Sequence, residues 1–159
     1  MADTPSPLQQ ELKQTIPFRT PAQEALVALL RTVDVLKRWM AAVIEAEGLT
    51  VQQYNVLRIL RGAGRDGLPT LEIAERMIEQ TPGITRLLDR LETKRLVGRA
   101  RCPEDRRQVT CRIAPAGLAL LARMDATVDR LDGTILGDLT PAQQRQLVRL
   151  LDQVRKGAT

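Results

Sequence analysis

Between Ile84 and Ile113 the apolar pattern of this chain changes period, and that change constrains the fold more than any other feature. Ile84, Leu87, Leu88 and Leu91 fall at i, i+3, i+4 and i+7, the spacing of one buried stripe on a short helix. Residues 96–102 (LVGRARC) and 109–114 (VTCRIA) then alternate with period two around a charged turn, Pro103-Glu-Asp-Arg-Arg-Gln108. Such a pair of segments predicts a β-hairpin. The alternation puts Leu96, Gly98, Ala100 and Cys102 on one face of the first strand. Val109, Cys111 and Ile113 share a face of the second, and both of these faces are expected inward. Val97, Arg99 and Arg101 are expected outward, where the two guanidinium groups would suit phosphates.

Charge singles out the same stretch. The chain carries 24 basic and 19 acidic side chains, a net +5. Residues 81–112 hold nine of the basic and four of the acidic ones, so the whole excess sits there. A local polyanion-binding surface looks like this in a sequence.

Helix starts are marked by threonines. Thr20, Thr50 and Thr140 are each followed three residues later by glutamine, the capping-box spacing, and Pro21 and Pro141 occupy first helical positions. Thr81-Pro82 repeats the start without the glutamine, and Thr70 is expected to cap the helix LEIAERM. A long helix is expected over 21–47, with Leu26, Leu29, Leu30, Val33, Leu36, Met40, Val43 and Ile44 on its stripe and Gly48 at its end. A second starts at Thr50 and stops in the Gly62–Gly67 loop. Leu68-Pro69 suits a short edge strand. After the hairpin, Pro115 opens a long helix and Thr140 a last one, with Leu147, Leu150, Leu151 and Val154 inward. Residues 1–20, which include three prolines, are expected to form a loose or extended arm.

Two short helices joined by a tight turn, the second basic outward, predict a helix-turn-helix, and a hairpin directly after it predicts a wing. The expected fold class is mainly α with a small β-hairpin wing, built as a winged helix-turn-helix over 50–114. Helices 21–47 and 115–156 flank it in a single domain over 21–159, and their long stripes ask for a dimer partner.

Composition narrows the chemistry. With no histidine, His-based zinc sites and Ser-His or Cys-His catalysis are excluded. There is no Gly-rich phosphate loop and no clustered carboxylate pair, so an enzyme is not expected, and neither a metal nor a cofactor is implied. No apolar run approaches a membrane span and no signal pattern opens the chain, so a cytoplasmic protein without a membrane partner is expected.

The run TRLLDRLE, then LV, then PEDRR closely resembles the winged-helix core of MarR-type transcriptional regulators, with the specific motifs confined to residues 71–117. The resemblance implies a homodimer held by the terminal helices on a roughly palindromic operator in double-stranded DNA. It also implies a repressor released by a small, commonly aromatic or phenolic, effector. Two positions depart from the family pattern. Arg95 stands where a glycine usually follows the recognition helix, and Ala114 where a threonine usually caps the next one.

Candidate DNA contacts follow. Thr81, Pro82 and Gly83 sit at the helix start, where backbone N–H groups suit a phosphate. Thr85 and Arg86 suit base edges, a thymine methyl and a guanine respectively. Arg90 suits either DNA or a local pair with Asp89 or Glu92. Arg106 and Arg107 at the hairpin turn suit a narrow minor groove. Trp39 and Tyr54 are candidate ligand contacts, or simply core. Cys102 and Cys111 read as small buried hydrophobes; a redox pair across the strands is the other reading. The alternative functions are a constitutive DNA-organising protein without effector and a cysteine-based redox-responsive regulator.

Overall fold

The computed structural model describes residues 5–80, 82–101 and 109–157. It divides into two units, Met1–Ala42 and Val43–Thr159, the boundary falling inside the long second helix.

The first unit corrects the expectation of an extended arm, because Pro7–Glu11 is a helix, α1. Ser6 caps it with a full capping box: the Gln9 N–H donates to the Ser6 hydroxyl at 3.3 Å, and the Ser6 N–H to Gln9 Oε1 at 2.9 Å. Two of the helix's orphan donors are thereby satisfied. The end is held by Arg31 of α2 (Pro21–Glu45), whose guanidinium donates to Glu11 at 2.7 Å. Prolines at 5 and 7 had suggested extended chain, yet Pro7 occupies the first helical position, where its fixed φ assists.

In the second unit Gly48, at φ 71°, turns the chain from α2 into α3 (Val51–Ala63). Thr50 caps α3 as the sequence predicts, with Gln53 bonding back to it. Helix α3 is the centre of the core: Val56, Leu57 and Leu60 are fully buried. Each such side chain contributes about 1.5–3 kcal/mol by leaving water. Strand β1 (Leu68–Pro69) leads into α4 (Thr70–Glu75), which buries Ile73. Thr70 is the first residue of α4 and makes no cap; Pro69 holds that position. The hydroxyl of Thr70 lies 3.8 Å from the Cys111 sulfur instead.

Helix α5 (Ile84–Thr93) buries Leu88 and Leu91 completely and Ile84 and Leu87 in part, so the stripe is as expected. Strands β2 (Val97–Arg101) and β3 (Val109–Ile113) form the hairpin, and β1 adds to β3, giving the antiparallel order β1-β3-β2. The phase of β2 is a correction. Val97 pairs with Ile113 and Arg99 with Cys111, so Val97 and Arg99 take the inward face. Gly98 and Ala100 are exposed. Period two admits either phase, and a one-residue slip exchanges every side chain between faces.

Helix α6 (Pro115–Leu136) enters beside the hairpin and buries Leu120, Leu121 and Met124. Gly117 makes the approach possible: a Cβ there would lie 2.4 Å from the Leu96 carbonyl oxygen and 2.9 Å from Ile113. Helix α7 (Pro141–Gly157) has the Thr140–Gln143 capping box but buries no residue completely, with Leu147 and Leu151 half-buried. None of the described helices is long and apolar enough to cross a membrane.

Candidate nucleic-acid interface

The basic module is built around the two ends of α5. At its start, Gly83 occupies the N-cap position at φ 89°, a left-handed backbone that glycine adopts without penalty. The helix therefore starts at Ile84, and Pro82 and Gly83 belong to the exposed turn before it rather than to its face. Thr81 lies outside the described residues, as do Cys102, Arg106, Arg107 and the rest of the hairpin turn.

Along α5, Thr85, Arg86, Asp89, Arg90 and Thr93 are exposed together. Among the described residues neither Arg86 nor Arg90 has a carboxylate partner. The acids of the helix are engaged elsewhere. Arg99 of β2, its side chain only 18% exposed, reaches across to pair with both Asp89 and Glu92. Its Nε donates to Glu92 at 2.9 Å. The carboxylates, Asp89 foremost, push the Arg99 guanidinium up from its ordinary value and keep it charged. Thus Arg99, expected outward toward phosphate, instead ties the strand to the helix. Of the readings open for Arg90, the pair with Asp89 or Glu92 is not formed.

The end of α5 is a Schellman turn. The Leu96 N–H donates to the Leu91 carbonyl at 3.0 Å and the Arg95 N–H to the Glu92 carbonyl at 2.8 Å. Arg95 adopts φ 58°, the conformation for which glycine is the usual choice. The turn forms regardless because both carbonyls are satisfied and both flanking leucines are buried. Ala114 is the N-cap of α6 and supplies no side-chain cap, as the sequence implies.

The candidate ligand and redox residues have other surroundings. Tyr54 is buried, its hydroxyl accepts from Arg58 at 2.8 Å, and that guanidinium stands 5.7 Å from its ring centre. Trp39, in the other unit, is 46% exposed. Cys111 is fully buried, and burial pushes its thiol up from the ordinary value, away from the thiolate that redox chemistry uses. Opposite it in the register stands Arg99.

Three polar ties escape sequence reasoning because their partners lie far along the chain. Asn55 Oδ1 accepts the Ile78 N–H at 2.9 Å. Lys94 donates to the Gly48 carbonyl at 2.5 Å. Arg61 grips Asp125 through both carboxylate oxygens, at 3.0 and 2.8 Å, and this hydrogen bond holds the Asp125 carboxyl below its ordinary value. No local pattern marks any of them.

A tri-helical core whose third helix is basic outward, backed by a three-stranded sheet with a hairpin, defines a winged helix-turn-helix protein. A sequence model of the MarR family matches residues 49–109. A solved MarR transcription factor from Planctomyces limnophilus is 39% identical, covering 86% of this chain and 99% of its own, with a TM-score of 0.66. Two further relatives are similar in sequence. A helix-turn-helix transcriptional repressor of Mycobacterium tuberculosis is 29% identical over 79% of this chain and 89% of its own. BpsR of Bordetella bronchiseptica, whose DNA binding is regulated by 6-hydroxynicotinic acid, is 25% identical over 83% of this chain and 98% of its own, at a TM-score of 0.71. The chain belongs to the MarR family of transcriptional regulators.

Proposed function

We propose that this regulator is a homodimeric repressor that acts in the cytoplasm, binds a roughly palindromic operator and leaves it when a small organic effector binds. The observation that carries the DNA-reading part is the division of charge on α5. Among the described residues Arg86 and Arg90 stand exposed without carboxylate partners, while Asp89 and Glu92, which would repel phosphate, are engaged by Arg99. Arg86 and Thr85 would meet base edges and Arg90 a base or backbone, with Pro82 and Gly83 bringing the turn close to a phosphate. Thr81 at that turn, and Arg106 and Arg107 at the hairpin tip, complete the proposed contact set.

The dimer would be formed by the flanking helices. Leu26, Leu30 and Val33 on α2, and Val148, Leu150 and Val154 on α7, are large apolar side chains left exposed in the single chain. The similarity to BpsR supports an effector of the organic-acid kind. Buried Cys111 gives no support to a thiol-based signal.

Selection of bound duplexes from a random pool tests the reading. A half-site repeated with two-fold symmetry is expected, and an unenriched pool would leave only the constitutive DNA-organising alternative. Arg86→Ala should cost about 1–3 kcal/mol of operator binding and relax preference at one base pair. An equal loss on every sequence would make Arg86 a backbone contact. Titrating the bound complex with aromatic acids, 6-hydroxynicotinic acid among them, tests the effector.

A further inference from the structure

The connection from α4 to α5 is held in an unusual way. Among the described residues from Ile78 to Gly83, no side chain is buried, and Ile78 itself is 82% exposed. Met77 pins the end of α4, and the described side chains beyond it as far as Gly83 are half-buried or exposed. The backbone here is tied by a half-buried side chain of α3: Asn55 accepts the Ile78 N–H at 2.9 Å. The far end of α5 is tied to the same helix, because Lys94 donates to Gln53 Oε1 at 3.4 Å and to the Gly48 carbonyl just before α3. Helix α3 is in turn anchored to α6 by the Arg61–Asp125 pair.

We infer that Asn55 is a positioning residue for sequence reading: through the Ile78 N–H it fixes the approach to α5, so that α3 holds the recognition helix from both ends. A helix that reads base edges must be placed to about 0.5 Å, whereas attraction to phosphates tolerates much looser placement. Asn55 therefore acts on discrimination between sequences and not on the general affinity for DNA. No charge is involved, and the role inferred for Asn55 runs through the Ile78 backbone. This inference rests on the reading of α5 as the helix that reads the operator.

The test compares Asn55→Leu, which keeps the branched shape and loses the acceptor, with Asn55→Asp, which keeps the acceptor. Affinities for the selected operator and for a random duplex are measured at one salt concentration, alongside thermal midpoints. Asn55→Leu should lower operator affinity about tenfold and leave random-duplex affinity within about twofold. Asn55→Asp should retain most of the preference. Should Asn55→Leu fail to fold, Asn55→Ser, whose hydroxyl is too short to reach Ile78, takes its place. A fall in thermal midpoint with the operator preference intact would overturn the inference and make Asn55 merely structural. Equal losses on both duplexes would overturn it too. If the unaltered protein showed no preference for any operator, the reading of α5 itself would fall, a result distinguishable because it precedes any variant.

Discussion

Helices α5 and α7 are both amphipathic, yet one is finished within the chain and the other is not. The ten residues of α5 bury Leu88 and Leu91 completely. The seventeen of α7 bury none completely: Leu147 and Leu151 are half-buried, and Val148, Leu150 and Val154 are 58, 51 and 52% exposed. A stripe at helical spacing says that a helix wants a partner, and it does not say whether that partner belongs to the same molecule. In α5 the partner is α3 and the hairpin. In α7 the stripe is left for something else, which we have proposed to be a second copy.

The largest effect should separate the two helices directly. Leu91→Ala removes a fully buried side chain and should cost about 2–5 kcal/mol in chemical denaturation. Leu150→Ala should leave the unfolding of the dissociated chain within about 0.5 kcal/mol and weaken self-association instead, read by sedimentation. If Leu150→Ala destabilised the chain at concentrations where it is monomeric, α7 would be packed in cis and the contrast would fail. Next in size is Gly117→Ala, at the point where α6 passes the hairpin. The added Cβ would press on the Leu96 carbonyl at 2.4 Å, and overpacking of this kind costs about 1–3 kcal/mol. An unchanged midpoint would mean that α6 can shift freely at this crossing.

Smaller again is Arg95→Gly. Removing a left-handed arginine should raise stability by about 1 kcal/mol, since the Schellman bonds remain. A loss would show that the arginine side chain contributes more than its backbone costs. The smallest effect is acid-dependent. The Arg61 hydrogen bond lowers the folded-state pKa of Asp125, so the stability it gives is present above the carboxylate's ordinary value. It is lost as pH falls through the lower folded value. The difference between wild type and Arg61→Met, clear at pH about 6, should therefore shrink below pH about 4. A difference that persisted at low pH would indicate that Arg61 acts through packing of its stem.

Much of the fold was legible because the signals are local. The Leu88–Leu91 stripe, the Thr50–Gln53 and Thr140–Gln143 boxes, the β1 strand and the hairpin all follow from neighbours within a turn. Arg95 announced a left-handed position that it then adopts. What the sequence could not supply depends on distant partners. The phase of β2 is decided by Asp89 and Glu92 receiving Arg99, and nothing in LVGRARC contains that information. Gly98 and Ala100, too small to vote strongly for the interior, made the opposite phase look equally good. Thr70 carries the chemistry of a cap but sits one residue too late, because Pro69 is drawn into pairing with Thr110. The helix at Pro7–Glu11 is hard to see in the sequence because the prolines around it suit extended chain as well as Pro7 suits a first helical position. For the candidate site, the outward face of α5 was legible, whereas Asn55 and its tie to Ile78 were not.

The ion pairs of Arg99 also bear on what binding requires. A strand clamped to its recognition helix at two carboxylates does not have to be ordered when DNA arrives. The conformational entropy of aligning the hairpin base with α5 has been spent during folding, and on the proposed reading of α5 the pair would meet the duplex as a preorganised body. Arg99 would then contribute to affinity without touching DNA, by lowering the entropic cost of association.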